Sequence, residues 1–131
     1  MEIIELAGDD LRLYYLVGHL VMDEEVLKYN LNYPYKTSPE YRWFVAVDAG
    51  TTLGFVPAKL KNGKAALNNY YIADDDTAVL SALLKEAVRS LSPAFEVESV
   101  TQVRHIPVFS NFGFSIELTW KKYVRMKLYR T

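Results

Sequence analysis

One apolar stripe with helical spacing restricts the possible folds more than any other feature of this chain. It runs from Val79 to Leu91 with apolar residues three or four positions apart, and it ends before Pro93. Branched and aromatic residues at 65–72 and 95–104 predict a strand on either side of this helix. A strand, a helix and a second strand in this order form a crossover, which is typical of the α/β class.

Hairpin signals lie before this crossover. Asn62-Gly63, between two lysines, predicts a two-residue type I′ turn that joins a strand at 53–60 to the strand before the helix. Pro57 donates no ladder hydrogen bond, so we expect a sheet edge or a bulge there. An aromatic-rich segment at 41–47 predicts a further strand. Hairpins beside a crossover predict a mixed sheet.

The N-terminal part of the chain predicts one strand and two helices. Residues 2–6 alternate as a strand does, and Gly8-Asp9-Asp10 marks a turn that can also cap a helix. An apolar face with helical spacing follows from Leu13 to Val21. Asp23-Glu24-Glu25 places acidic side chains at the start of a second, short helix, where the helix dipole favours them. Residues 32–40 contain two prolines and predict a loop.

The C-terminal part predicts one more helix and further strands. Residues 106–112 can make two helical turns, with Gly113 as the C-cap. Residues 115–130 form either one long strand or a tight hairpin around Trp120-Lys121-Lys122. The predicted element order is therefore β-α-α-β-β-β-α-β-α-β(β). A chain of this length predicts a single domain over residues 1–131.

The composition excludes several classes of protein. The 131 residues include no cysteine, which excludes a disulfide scaffold and a zinc–cysteine site. The formal net charge of −1 removes the electrostatic argument for a nucleic-acid partner. No apolar run approaches about 20 residues, and the acidic N-terminus does not resemble a signal peptide. We therefore expect no membrane contact and a cytoplasmic location.

Motifs of other enzyme classes are missing as well. The sequence has no HExxH, P-loop or dinucleotide-binding motif and no Ser-His-Asp order, which argues against nucleophilic and P-loop chemistry. We expect no metal, because three consecutive carboxylates such as Asp74-Asp75-Asp76 rarely converge on one ion unless a loop supplies further oxygens.

Basic residues cluster near the C-terminus. Charges on a final strand usually protect a sheet edge, and a weak nucleic-acid contact is the alternative. An edge strand there could also pair across a two-fold axis and give a homodimer. The basic residues are Lys121, Lys122, Arg125, Lys127 and Arg130.

Two segments resemble the GNAT superfamily of acyl-CoA-dependent N-acyltransferases. Tyr70-Tyr71-Ile72, followed by Ser81-Ala82-Leu83-Leu84-Lys85-Glu86-Ala87, resembles the family's fourth strand and central helix. Val108-Phe109-Ser110-Asn111-Phe112-Gly113-Phe114, with Tyr123-Val124-Arg125-Met126-Lys127-Leu128 after it, resembles the family's closing motif. The resemblance covers nearly the whole chain. It implies an α/β (α+β) fold with a mixed, mostly antiparallel sheet of six or seven strands flanked by helices. It also implies acetyl transfer from acetyl-CoA to an amine on a small molecule or a protein.

The resemblance also implies where a site would lie. In the family, acyl-CoA enters between the fourth and fifth strands, with its pyrophosphate at the N-terminus of the central helix. Catalytic roles then fall to His105 and Tyr71. Acetyl-CoA contacts fall to Tyr70, Tyr71, Ile72, Ala78, Leu80 and Asn111. The aromatic residues before and within the second strand either border the acceptor site or close the rim of a small core; they are Tyr33, Tyr35, Tyr41 and Trp43.

Two departures from the family pattern keep two functions open. Asp75 stands where the family has Gln or Arg, Leu80 stands at a phosphate-loop glycine, and Phe109 stands at the Tyr that protonates the leaving thiolate. Asp75 and Asp76 would repel a pyrophosphate by about 4 kcal/mol per charge pair at 4 Å and a dielectric of 20. Alternatively, one of them caps the helix, a gain of about 1 kcal/mol. The chain is then either an N-acetyltransferase with an altered donor site or a GNAT-like binding module without acyl transfer.

These two functions predict different geometries. An acetyltransferase should have an open cleft between the fourth and fifth strands, with free strand N–H groups from Tyr70 to Ile72. In a binding module, side chains such as Leu80 and Phe109 should fill the cleft, and an exposed aromatic patch should mark the partner surface.

Overall fold

The structure is a computed structural model that describes residues 1–129. The end of the strand expected to reach residue 130, and Arg130 in the basic cluster, lie outside the described residues. The helices are α1 (Leu11–Val21), α2 (Glu24–Tyr29), α3 (Thr77–Leu91) and α4 (Ile106–Asn111). The strands are β1 (Glu2–Ala7), β2 (Tyr41–Asp48), β3 (Thr51–Lys61), β4 (Lys64–Leu67), β5 (Tyr71–Ile72), β6 (Glu96–Gln102), β7 (Phe114–Thr119) and β8 (Tyr123–Leu128).

The strands form one mixed sheet, as predicted. Its order is β1-β2-β3-β4-β6-β8-β7, and β5 pairs with β3 alone. In the described part of the chain, β4 and β6 are parallel and the remaining pairs are antiparallel. The predicted fold class is confirmed. The sheet has eight strands because the segment at 65–72 divides into β4 and β5, and because the last segment is a hairpin with β7 at the sheet edge.

The division between β4 and β5 opens the middle of the sheet. β4 runs beside β6 only as far as the Leu67–Ser99 pair, and Asn69 then turns the chain with a φ of 60°. β5 continues along β3, while β6 runs on to Gln102 and pairs with β8 along its other edge. We call the resulting opening between residues 68–72 and 100–105 the splay.

Pro57 lies in an interior strand, so the expected sheet edge is wrong, and the irregularity in the β2–β3 register falls at Ala46–Val47, not opposite Pro57. On one side it pairs with Trp43 of β2. On the other side, β4 pairing begins at Ala58 and β5 pairing ends at Phe55, so Pro57 stands at the gap between them. A residue without an N–H is tolerated there because neither β4 nor β5 pairs with it on that second side.

Aspartates begin three of the helices, as the sequence suggested. Asp10 Oδ1 accepts a hydrogen bond from the Arg12 N–H, and Asp23 Oδ1 accepts from the Glu25 N–H, both at 2.9 Å. Asp76 Oδ1 accepts from the Ala78 N–H at 2.9 Å. Each carboxylate satisfies an otherwise free N–H group of a first helical turn. In residues 1–129, no helix is both long enough and apolar enough to cross a membrane.

Two apolar cores lie on opposite faces of the sheet. The main core packs α3 and α4 against one face and includes Phe44, Leu83 and Met126. The second core packs α1 and α2 against the other face through Trp43 and Phe55. The period-2 alternation of the strands separates the residues of the two faces.

Candidate functional site

Tyr70 stands in the splay and bridges its two sides. Its side chain is 1% exposed, and its hydroxyl oxygen accepts a hydrogen bond from the Gln102 N–H at 3.1 Å. The same hydroxyl lies 2.5 Å from His105 Nδ1. Two residues earlier in β6, the Val100 N–H donates to Asn68 Oδ1 at 3.1 Å. Side chains therefore occupy the two β6 N–H groups that point into the splay.

Asp75 completes a polar network beside Tyr70. The guanidinium of Arg104 donates to both carboxylate oxygens, at 2.8 Å from Nε and 3.2 Å from Nη2. The Tyr29 hydroxyl donates to Oδ1 at 2.8 Å, and His105 Nε2 lies 2.7 Å from the same oxygen. Arg104 also lies over the Tyr29 ring, 5.1 Å from its centroid, and donates to the Gln102 side chain. The network thus joins α2, the turn before α3 and the end of β6.

The network sets the charge of each member. Burial opposes ionisation of Asp75, but the hydrogen bonds from Arg104, Tyr29 and His105 outweigh it and hold the pKa of that carboxyl well below its usual value. Burial lowers the pKa of His105, an effect that the nearby Asp75 partly offsets. Burial raises the pKa of Tyr70. At neutral pH the carboxylate is ionised, the phenol is protonated and the imidazole is neutral.

The hydrogen bonds are consistent with these charges. Neutral His105 donates from Nε2 to Asp75 and accepts from the Tyr70 hydroxyl at Nδ1, an assignment inferred from the partners. Across residues 1–129, no buried side-chain nitrogen or oxygen lacks a hydrogen-bond partner. The network is therefore saturated, and His105 has no free nitrogen with which to take a proton from a ligand.

Carboxylates also fill the turn before α3. Asp74 and Asp75 have φ angles of 57° and 51°, and Asp76 caps the helix. Asp75 is paired with Arg104, whereas Asp74 and Asp76 are exposed and have no ion-pair partner in the described part of the chain. An anion that approaches this helix end meets two unpaired negative charges.

The predicted acetyl-CoA residues separate into buried and exposed groups. Ile72 and Leu80 are fully buried in the main core. Ala78 is exposed in the first turn of α3, and Asn111 is exposed at the end of α4. Eight residues were assigned to catalysis, to the donor site or to the position of the family acid. Three of them are in contact: the Tyr70 hydroxyl bonds to His105, and its ring packs on Phe109.

The two remaining catalytic positions pack into the cores. Tyr71 is half-buried on the face opposite Tyr70, where its ring lies 5.2 Å from that of Tyr29 and 5.7 Å from that of Phe55. Phe109 is fully buried, with its ring 5.7 Å from Tyr70 and 5.3 Å from Phe114. The position aligned with the family's general acid therefore contributes packing.

The predicted acceptor aromatics also divide. Trp43 is buried in the second core, and Tyr41 is half-buried against it. Tyr35 packs its ring on Phe55 and donates its hydroxyl hydrogen to the Val26 carbonyl at 3.0 Å. Tyr33 is 54% exposed and lines a pocket of about 430 Å³ at the mouth of the splay. Of the four, Tyr33 is the one placed to meet a partner.

Sequence reasoning missed Tyr29, Asn68, Gln102 and Arg104. Tyr29 and Asp75 are 46 positions apart, and Asn68 and Val100 are 32 apart, so no local motif links them. The sequence offered one signal for this network: the adjacent basic residues Arg104 and His105 at a strand end and the acidic run at 74–76 could form ion pairs. Within residues 1–129, no group of three His, Cys, Asp or Glu side chains is placed to hold a metal ion.

Comparison with solved structures identifies the fold of the chain. No family model and no curated protein matches the chain by sequence. Solved structures do match. Escherichia coli ElaA has a TM-score of 0.73 at 12% identity, over 98% of this chain and 100% of that one. An acyl-CoA N-acyltransferase from Pseudomonas aeruginosa has a TM-score of 0.74 at 13% identity, over 98% and 99%.

The chain has the GNAT fold. A third match is the PaiA N-acetyltransferase from Thermoplasma acidophilum in complex with coenzyme A, with a TM-score of 0.57 at 18% identity over 98% and 99% of the two chains. The splay of this GNAT-fold chain lies between β5 and the end of β6. At these identities the likeness shows a shared fold alone.

Proposed function

We propose that this protein is an acetyltransferase-like chain of the GNAT fold that does not take acyl groups from acetyl-CoA and serves as a binding module. The observation that carries the proposal is the position of Tyr70, whose hydroxyl spans the splay between the Gln102 N–H and His105. A donor that adds to strand edges in the splay needs free backbone groups and open space there. On the β6 side, Asn68 and Tyr70 already accept from the Val100 and Gln102 N–H groups, and the Tyr70 side chain fills the space between the two strands.

Opening the splay would cost several interactions at once. Tyr70 would lose two hydrogen bonds, each with a net value of about 0.5–1.5 kcal/mol, and the Gln102 N–H would lose its partner. The ring would also leave its contact with Phe109 in the main core. Binding of a donor would have to offset these losses.

Charge at the end of α3 supports the same conclusion. Asp74 and Asp76 stand where a pyrophosphate would lie, and each unpaired carboxylate repels a phosphate charge about 4 Å away by roughly 4 kcal/mol at a dielectric of 20. The charge of Asp75 is largely compensated by Arg104. The residues present do not fit acetyl-CoA in the family's manner.

Calorimetric titration of acetyl-CoA into the full chain tests the proposal. The matched variant is Asp74→Gly with Asp76→Ser, which removes two unpaired charges but keeps a helix cap and the Asp75–Arg104 pair. We expect no binding by either protein, because Tyr70 still closes the splay. Micromolar binding by the unmodified chain would overturn the proposal. Binding by the variant alone would mean that charge, and not Tyr70, excludes the donor.

An active N-acetyltransferase is the second candidate. It is favoured by the solved structures of this fold, which include an N-acyltransferase, an aminoglycoside acetyltransferase and an N-acetyltransferase in complex with coenzyme A. Under this function His105 and Tyr71 take the catalytic roles once the splay opens, and Tyr33 borders an amine acceptor. Release of free thiol from acetyl-CoA in the presence of a panel of small amines and peptides is the measurement. Amine-dependent release that disappears in a His105→Gln variant would favour this candidate over the binding module.

A further inference from the structure

The helices α1 and α2 leave half of their face of the sheet uncovered. They pack on β1, β2 and the first half of β3, and the second core contains no residue of β4, β6 or β8. On these strands the residues between the main-core positions face outward. We call this surface the open trough; its floor is Lys64, Ala66, Asn68, Glu98 and Val100. It ends at the buried Gln102.

Three lysines crowd one end of the open trough. Lys59, Lys61 and Lys64 line a pocket of about 350 Å³ in which Glu98 is the sole acidic residue among the described lining residues. Lys61 lies directly opposite Lys64 in the ladder. Like charges at directly opposite positions destabilise a hairpin, so stability does not account for this arrangement.

The other end of the open trough is also cationic. Arg104, Lys121 and Lys122 line a pocket of about 300 Å³ that has no acidic lining residue among those described. Arg104 is paired with Asp75, whereas neither lysine has a carboxylate within ion-pair distance in residues 1–129. Lys59, Lys61 and Lys64, at the first end of the trough, also have no carboxylate within ion-pair distance among the described residues. The near-zero net charge of the chain therefore conceals a surface with a strong excess of positive charge.

We propose that the open trough binds an extended, acidic polypeptide segment of a partner protein. This names the kind of partner for the binding module and so rests on that proposed function. Along β6 the floor of the trough runs from Glu98 to Gln102, about 13 Å at roughly 3.3 Å per residue, which suits about four extended residues. Carboxylates at the two ends of such a segment meet the lysines, and small or apolar residues in its middle lie over Ala66 and Val100.

The floor of the trough favours a peptide over other anionic partners. Single-stranded nucleic acid is held by aromatic rings that stack on successive bases. Here Ala66, Asn68 and Val100 form the middle of the floor, and the aromatic Tyr33 and Tyr123 lie at one end. The side-chain amide of Asn68 can donate to a peptide carbonyl. A cationic amine would be repelled by both ends.

Fluorescence anisotropy with the full chain tests the proposal. The probe is a labelled peptide of alternating glutamate and alanine, compared with the same peptide carrying lysine in place of glutamate and with labelled oligouridylate. We expect the acidic peptide to bind more tightly than either of the others, and its affinity to fall as salt is raised. Equal binding of the lysine peptide, tighter binding of oligouridylate, or no binding of the acidic peptide would each overturn the proposal.

Charge-reversal variants locate the binding surface. Lys61→Glu and Lys122→Glu act at opposite ends of the trough, and each should weaken binding of the acidic peptide by about tenfold, since a repulsion replaces an attraction of similar size. Lys85→Glu, on the exposed side of α3, is the matched control and should change nothing. An equal loss with Lys85→Glu would mean that net charge alone drives binding.

Two further readouts separate the possible failures. Lys61→Glu relieves the repulsion with Lys64, so its Tm should not fall even as binding weakens. Acetyl-CoA should not displace the peptide. If acetyl-CoA binds in calorimetry while the peptide still occupies the trough, the proposed binding-module function is wrong and peptide binding by the trough is confirmed. If neither acetyl-CoA nor the peptide binds, peptide binding by the trough is wrong, and the exclusion of acetyl-CoA from the splay is supported.

Discussion

His105 is the residue on which the closed splay depends most directly. Its two ring nitrogens connect Asp75, in the turn before α3, to Tyr70, which follows β4. Arg104 and Tyr29 surround the same carboxylate, so the charged and titratable groups around the imidazole come from four separate segments of the chain. A buried imidazole held between a carboxylate and a phenol is most stable when it is neutral.

The depressed pKa of His105 predicts that stability falls in mild acid. Below about pH 6.5 the unfolded chain takes up a proton on this ring, while the folded chain resists it until a lower pH. Stability is therefore lost as the pH falls, by at most about 1.4 kcal/mol per pH unit for one proton. Urea unfolding of the unmodified chain and of His105→Gln between pH 7 and pH 5.5 should show a flatter pH profile for the variant.

His19, an exposed histidine of α1, supplies the matched control. His19→Gln should keep the pH profile of the unmodified chain. If the free energy of unfolding of His105→Gln falls with pH as steeply as that of the unmodified chain, this imidazole does not cause the loss of stability in acid, whatever the overall stability of the variant.

Among the elements, α3 determines how the end of the splay is built. Its apolar stripe fills the main core, and the Asp76 side chain caps its first turn. The turn before it adopts left-handed φ angles at Asp74 and Asp75, which directs the Asp75 carboxylate towards Arg104. A helix N-terminus that can serve as an anion site is here satisfied by the protein's own side chain.

Removal of the α3 cap should cost about 1 kcal/mol. Asp76→Ala leaves the Ala78 N–H without its side-chain partner, and such changes usually destabilise by about 0.5–2 kcal/mol. Asp76→Ser keeps a capping oxygen and should lose much less. Urea unfolding at neutral pH measures both; an equal loss in the two variants would mean that the charge, and not the hydrogen bond, stabilises the helix.

At the scale of the whole molecule, two positions at which this sequence departs from the family pattern belong to the main core. Leu80 and Phe109 are fully buried, and both belong to the cluster that joins α3 and α4 to the sheet. Leu80→Ala should therefore lower the free energy of unfolding by about 2–5 kcal/mol, as truncation of a buried leucine does. Leu11→Ala, at a side chain that is 82% exposed, should change it by less than about 0.5 kcal/mol.

Thermal and urea unfolding of these two variants are the measurements. Similar small losses for both would mean that Leu80 is not packed as the structure has it and that its position remains available to a ligand.

The sequence by itself determined the parts of the molecule that depend on neighbouring residues. The stripe of α3, the Asn62-Gly63 turn, whose φ angles are 54° and 77°, and the aspartate caps all follow from interactions within a few positions. The GNAT fold was also recognisable, because the order and spacing of such elements restrict the topology.

Only the tertiary structure decided the state of the candidate site. His105 and Tyr70 were identified, but the sequence did not show that they bond to each other, nor that Tyr29 and Arg104 join them at Asp75. These partners lie 29 to 46 positions apart, and no periodic pattern records which side chains meet across two strands that diverge. Burial and pairing of polar groups are properties of the packed chain, so they appear only once the sheet and its helices are assembled.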